Sequence, residues 1–341
     1  MIIKNDNIGE KKIYFGIELL RFLFCLWIVI IHCSIIKIQH KKYFERGFHV
    51  PSFFLISFYF FYHQMINRII PKIISRFERL LFPYILWPIV ILFLNNVSLI
   101  IFKIGAFNRI ITLNDFYIQI ITGARYHVIF WFQFNIIFIS LILTIISFLF
   151  KDNTIIVIEY LFIICFYLHF SRINYNIFIS MKKIFQITLG CLIELTPLAI
   201  IGCILGSLNI LLKIKVYSIH YHTILFLSII FLFKFNIFIF YSGFMYPNIF
   251  LNVVASITLF ITFGSINIKQ FIITKLITTI TRFTGGIYCI HSIFRRYLQK
   301  YIIFFSEKSY FSSFIIYFIC YMTCFLGSKL FKNYKLKYLF I

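Results

Sequence analysis

The run IYFGIELLRFLFCLWIVIIHCSII, residues 13–36, decides the fold. Read as a helix, it has the length that crosses a bilayer. Yet an arginine, Arg21, and a histidine, His32, interrupt its apolar side chains. Ionisable groups at that depth are costly and usually face a bundle interior or a wet cavity. The two stand eleven residues apart, which at about 100° per residue returns to within roughly 20° of one helix face. A rise of about 1.5 Å per residue sets them roughly 16 Å apart along it. That face presents a fixed cation toward one end and a titratable imidazole toward the other. The arrangement suits a ligand that is anionic at one end and reactive at the other. Taken singly, each residue also has a plainer reading: an arginine snorkelling to headgroups, a histidine bonded to a backbone carbonyl.

The remainder of the chain is equally apolar. Its 341 residues are 62% hydrophobic and 13% charged, with a mean hydropathy of +0.96. That is too little polar surface for a soluble fold, so the expected class is an all-α, polytopic integral membrane bundle. A net charge of +23 would suggest nucleic acid in a soluble protein. Here basic loops meeting anionic membrane lipids account for it, and no nucleic-acid partner is expected. The eight cysteines lie almost all in apolar segments, with no CxxC and no metal-ligand spacing to histidine. Neither a structural disulfide nor a metal is expected from them. Cys320 and Cys324 share a helix face and read as small packing residues. The apolar run after Lys11-Lys12 is too long for a cleavable signal and has no small-residue cleavage site.

Apolar runs bounded by charges or turn residues mark about ten transmembrane helices. They lie near 13–36, 48–66, 80–103, 128–150, 153–170, 187–209, 221–241, 247–266, 272–294 and 310–331. An even number puts both termini on one side of the membrane. The basic tail (Lys332, Lys335, Lys337) and the loop 68–79 assign that side to the cytoplasm, although the loops 37–46 and 295–300 are basic too. The longest loop, 104–127, carries Asp115 and Arg125. No segment reads as a separate soluble domain, so residues 1–341 are expected to form one membrane domain. Gly202 and Gly206 have the GxxxG spacing, read as close helix packing rather than dimerisation.

A second polar cluster, Arg76-Phe77-Glu78-Arg79, precedes Leu80-Leu81-Phe82-Pro83-Tyr84 at the start of the third span. Arg76 and Arg79 are neighbours on a helical turn, and guanidinium groups hold phosphate bidentately while staying charged when partly buried. The plainer reading is a positive-inside flank. Late in the chain, Gly285-Gly286-Ile287-Tyr288-Cys289-Ile290-His291 places another histidine in the ninth span. The first and ninth spans run the same way, so His32 and His291 fall at similar depth. Tyr288 shares the face of His291. Glu18, three residues before Arg21, is expected to pair with it. Glu159 and Glu194 are further intramembrane carboxylates, and Trp131-Phe132 reads as an interfacial anchor. There is no P-loop, GxSxG or paired-carboxylate pattern.

These residues resemble a known family. Arg21 and His32 in the first span resemble the arginine–histidine signature of the membrane-bound acyltransferase-3 family. Arg76-x-x-Arg79 with Pro83-Tyr84 resembles its second motif. Weaker matches are Pro51-Ser52-Phe53-Phe54, Trp131-Phe132 and Ile287-Tyr288-Cys289-Ile290-His291, so the resemblance runs over nearly all the chain. Where the family often has Ser-Gly, this chain has Ser57-Phe58. No fused SGNH-type domain is expected after the last span. The resemblance implies transfer of an acyl group, commonly acetyl from acetyl-CoA, to a hydroxyl of a cell-envelope or exopolysaccharide sugar. The acceptor would be a glycan or lipid-linked sugar, and the setting a bacterial cytoplasmic membrane. It implies that Arg21, Arg76 and Arg79 hold the coenzyme phosphates, with no metal required. His32 would be the general base, or would carry a transient acyl-imidazole. His291 or Tyr288 would stabilise the oxyanion or steer the sugar.

The rival from another class is an exporter or flippase of polysaccharide or lipid-linked oligosaccharide. Its inverted repeats and broken mid-membrane helices have no counterpart in this sequence. A polysaccharide polymerase would carry a large arginine-bearing outer loop, which is also missing.

Overall fold

Large apolar side chains leave the backbone one way to satisfy its N–H and C=O groups away from water, which is hydrogen bonding within each segment. A computed structural model describes residues 14–33, 49–103, 105–107, 109–123, 130–170, 183–210, 247–266, 271–301, 310–332 and 335–341, and all its regular elements are helical. The α-helices are α1 Phe15–Cys33, α2 His49–Ile66, α3 Ile70–Phe102, α4 Leu113–Thr122, α5 Phe130–Phe150 and α6 Thr154–Phe170. They continue with α7 Lys183–Ser207, α8 Pro247–Gly264, α9 Phe271–Thr281, α10 Thr284–Tyr301 and α11 Tyr310–Leu330. Four stretches are long and apolar enough to cross a membrane: Phe15–His32, Ile70–Phe102, Phe130–Cys165 and Phe311–Leu330. Shorter apolar helices accompany them. The third of these stretches is divided by a turn at Lys151, whose φ of 45° ends α5 before α6 begins. The span expected at 221–241 lies outside the described residues.

Two expected spans differ. The third begins at Ile70 rather than near 80, with Pro71 in the first turn, where its missing N–H would have no helical partner anyway. Arg76 and Arg79 therefore sit inside α3 instead of ahead of it. The ninth, expected as one helix over 272–294, breaks at Arg282-Phe283 into α9 and α10. Threonine and glycine crowd this junction, from Thr278 to Gly286, and both are weaker helix formers than the apolar residues around them. The Thr284 hydroxyl donates to the Thr281 carbonyl (2.9 Å), satisfying an acceptor that the break leaves free. Within the 104–127 loop, α4 starts at a capping box of Thr112 and Asp115. Arg109 grips Asp115 through two bonds of 3.0 and 3.1 Å.

The first two helices are antiparallel: Phe24 meets Phe53 at 5.8 Å between ring centroids, and Tyr14 meets Phe60 at 6.0 Å. By contrast α1 and α10 run parallel and in register. Cys25 donates to the Thr284 carbonyl, and seven residues further along each helix His32 meets His291. One face of α2 (Phe54, Phe58, Phe61) joins the core shared with α5 and α7, while Leu55, Ile56 and Tyr59 pack with α1 and α8. Cys320 and Cys324 are fully buried in the core of α10 and α11, the packing role their spacing suggested.

Gly202 and Gly206 let α7 press onto α2. A Cβ at Gly202 would stand 2.5 Å from the Leu55 carbonyl oxygen, and one at Gly206 2.9 Å from Tyr62 Cβ. The GxxxG spacing thus serves packing within the chain. Gly202→Leu is expected to push the two helices apart at a cost of about 1–3 kcal/mol, read as a lowered thermal midpoint of the detergent-solubilised protein. An unchanged midpoint would contradict this packing.

The basic tail folds back onto the bundle. Lys335 pairs with Glu78 (2.5 Å), Trp87 donates to the Leu339 carbonyl (3.0 Å), and Phe340 covers Gly327. The bond and charge of Glu78 raise the Lys335 pKa above the ordinary lysine value. This ion pair is therefore intact at neutral pH and is lost as pH rises through that raised pKa.

Candidate active site

The polar face of α1 is anchored at both ends. At the first, Arg21 Nη1 lies 3.1 Å from each Glu18 carboxylate oxygen, the expected i,i+3 pair. The Thr281 hydroxyl donates to Glu18 Oε2 (2.5 Å), and Arg21 Nη2 reaches the Thr284 hydroxyl (3.4 Å). The break between α9 and α10 therefore supplies two hydroxyls to the ion pair. Glu18 neutralises the Arg21 charge locally, and both side chains remain partly exposed, at 33% for Arg21 and 23% for Glu18.

At the other end, the His32 and His291 rings stand 5.3 Å apart, tilted by 36°. His291 is fully buried, and its Nδ1 lies 3.2 Å from the Ile287 carbonyl. A carbonyl only accepts, so that bond assigns the proton to Nδ1 and leaves Nε2 as a bare acceptor. Nε2 has no hydrogen-bond partner among the described residues. Tyr288 follows at 6.0 Å from His291, and Phe132 at 5.0 Å from Tyr288. Phe132 in turn meets Phe53 and Phe54. A row of rings thus leads from α1 through α10 to α5 and α2. Neutral His291 in this tautomer can receive a hydroxyl hydrogen but cannot donate to an oxyanion, which favours the steering role over the stabilising one.

The arginine pair of α3 lies elsewhere. Arg76 inserts between α2 and α5, its Nη2 bonded to the Ser57 hydroxyl (2.9 Å) and the Ser140 hydroxyl (3.2 Å). Its guanidinium also lies 4.3 Å from the Phe61 ring centroid and 5.3 Å from that of Phe58. No carboxylate pairs with it among the described residues. Arg79 is exposed, with Nε bonded to the Ser75 carbonyl of its own helix (3.1 Å). No described contact joins either residue to Arg21, which faces α9 and α10 while Arg76 lies on the α5-facing side of α2. No described contact brings the three guanidinium groups together: Ser57 and Ser140 hold Arg76, and Glu18 holds Arg21. Phe58, the residue that departs from the family's Ser-Gly pattern, and Ser57 before it both touch Arg76.

A sequence model of the acyltransferase-3 family, described as an acyltransferase domain, matches residues 14–334. The chain belongs to the acyltransferase-3 family. The match begins at the foot of α1 and runs past the end of α11, so it takes in both the histidine pair and the arginine pair. No curated protein and no solved structure matches the chain.

In this membrane acyltransferase several residues around the site escaped the sequence reading. Phe132, read from the sequence as an interfacial anchor, is part of the ring row. Gln133 beside it donates to the Leu80 carbonyl (2.7 Å) and accepts from the Cys289 thiol (3.6 Å), tying α5 to α3 and α10. A polar residue two positions after a tryptophan at a span start was the available signal. His49, at the start of α2, is buried at 4% exposure and its Nδ1 has no partner among the described residues. Glu159 is exposed, while the side chain of Glu194 and all of His127 lie outside the described set.

Proposed function

We propose that this acyltransferase moves an acyl group, acetyl in the simplest case, from acyl-CoA to a hydroxyl of a cell-envelope or exopolysaccharide sugar. The observation that carries the reading is the meeting of His32 and His291 across two parallel helices, one with a bare, buried acceptor nitrogen. Neutral His32 takes the proton of the acceptor hydroxyl as its oxygen attacks the thioester carbonyl. The C–O bond forms, the C–S bond breaks, and the imidazolium returns its proton to the departing thiolate. His291 Nε2 accepts a second sugar hydroxyl and fixes its orientation, with the Tyr288 and Phe132 rings offering an apolar surface to the sugar ring. A transient acyl-imidazole on His32 is the variant of the same chemistry for a donor and acceptor on opposite sides.

On this reading the Arg21 end of the bundle faces the cytoplasm of a bacterium, about ten helices cross its inner membrane, and residues 1–341 act as one domain. No metal takes part. Exposed Arg79 meets the donor phosphates directly, and Arg76, one turn before it on α3, adds its positive field. Arg79→Gln is expected to raise the apparent donor KM about tenfold with little change in kcat. A lowered kcat at unchanged KM would contradict that division.

The test is transfer of isotope-labelled acetyl from acetyl-CoA to purified acceptor glycan by the protein in nanodiscs. Label recovered in the glycan as an ester supports the reading. Glycan that crosses the bilayer without gaining label, in vesicles holding the same protein, would overturn it in favour of export.

A further inference from the structure

The Arg21 end holds a second polar feature that the transfer mechanism leaves unused. Between α9 and α11 lies a cleft of about 500 Å³, walled by Phe283 and Phe325 and rimmed by Arg282, Lys329 and Lys332. That volume falls within the range of small-molecule sites, about 300–1,000 Å³. The three cations are exposed, and none has a carboxylate partner among the described residues. Lys329 rests 5.4 Å from the Phe325 ring centroid. Thr278, Thr279 and Ser328 also line the cleft, but their hydroxyls donate back to carbonyls of their own helices. Recognition there rests on the cations.

The contrast with Arg21 gives this arrangement meaning. Arg21 is neutralised by a carboxylate, whereas Arg282 at the α9–α10 break, Lys329 in α11 and Lys332 just past it line one cleft with no carboxylate opposing them among the described residues. Like charges converging at one cleft repel unless an anion joins them. A phosphate monoester carries about −1.5 to −2 charge and a diester about −1, and either offers acceptor oxygens to an arginine fork and ammonium groups at once. Phe325 offers the uncharged part of such a ligand an aromatic wall.

We propose that this cleft binds a phosphate ester. Two sources share that chemistry: the nucleotide end of a thioester donor, and the headgroup of an anionic phospholipid. Only the first rests on the donor proposed above.

The test uses the full chain in neutral detergent, as wild type and as Arg282→Gln/Lys329→Gln/Lys332→Gln, with monodispersity checked by gel filtration. A second variant, Thr279→Trp, fills the cleft and keeps all three charges. One arm titrates adenosine 3′,5′-bisphosphate by calorimetry; the other measures retained phosphatidylglycerol against phosphatidylcholine by native mass spectrometry. Both variants are expected to weaken one of these ligands about tenfold or more. Loss in the first arm assigns the nucleotide, and loss in the second assigns the lipid headgroup. Wild type and variants binding equally in both arms, or wild type binding neither probe, would overturn the proposal. Neither arm measures acyl transfer, so failure of the catalytic reading and failure of this one are separately visible.

Discussion

His32→Ala is expected to stop acyl transfer while the protein still inserts and folds. The residue sits in the last turn of α1, half-buried, and alanine is the best helix former, so the helix keeps its backbone. What disappears is the nitrogen opposite His291. A lost general base lowers the rate by about 10²–10⁴-fold, and a lost covalent carrier removes turnover altogether. Turnover of labelled donor, measured beside gel-filtration and circular-dichroism profiles, separates these outcomes from unfolding. Full activity in a folded variant would remove the proposed mechanism. Slow transfer restored by added imidazole would show that the variant lost the ring's nitrogen rather than its fold.

Gly16→Ala should damage the fold more than any surface change. A Cβ built at Gly16 would lie 1.7 Å from the Phe263 carbonyl oxygen at the end of α8. That neighbour is backbone inside a helix, so it cannot swing aside as a side chain would. Either α8 moves, uncovering Ile17, Leu20 and Phe260 in their shared core, or α1 shifts along its axis and carries His32 away from His291. Overpacking of this kind costs about 1–3 kcal/mol, and more where backbone must move. The expected readout is loss of monodisperse protein on solubilisation, with the thermal midpoint of any survivor well below wild type. A wild-type midpoint would mean that α1 and α8 do not approach this closely.

Much of the site was legible because spacing along an apolar helix translates directly into depth and face. Arg21 and His32 share a face by periodicity. His32 and His291 meet because α1 and α10 run in the same direction, and Glu18 pairs with Arg21 because three residues make one turn. Gly202 and Gly206 were readable for the same reason. The break at Arg282-Phe283 was not, since hydropathy averages over threonine and phenylalanine alike and is blind to how each treats a helix. Nor were the partners of Arg76. Ser57 and Ser140 lie 19 and 64 residues away in the chain, and nothing local marks a serine as the acceptor for a buried guanidinium. The ring partners of Phe132 were not legible because an aromatic at a span end looks the same whether it faces headgroups or another ring. The return of the tail onto Trp87 and Gly327 depends on packing between distant helices, which positive charge near a membrane face conceals.

The central claim is that this chain esterifies a sugar through the imidazole at the far end of α1. Mass spectrometry of envelope and exported glycans from cells carrying the wild-type gene, the gene with His32→Ala, and no gene tests it most directly. The account predicts one glycan fragment heavier by an acyl group in the first strain only. Identical glycans in all three, or the heavier fragment persisting with His32→Ala, would contradict it.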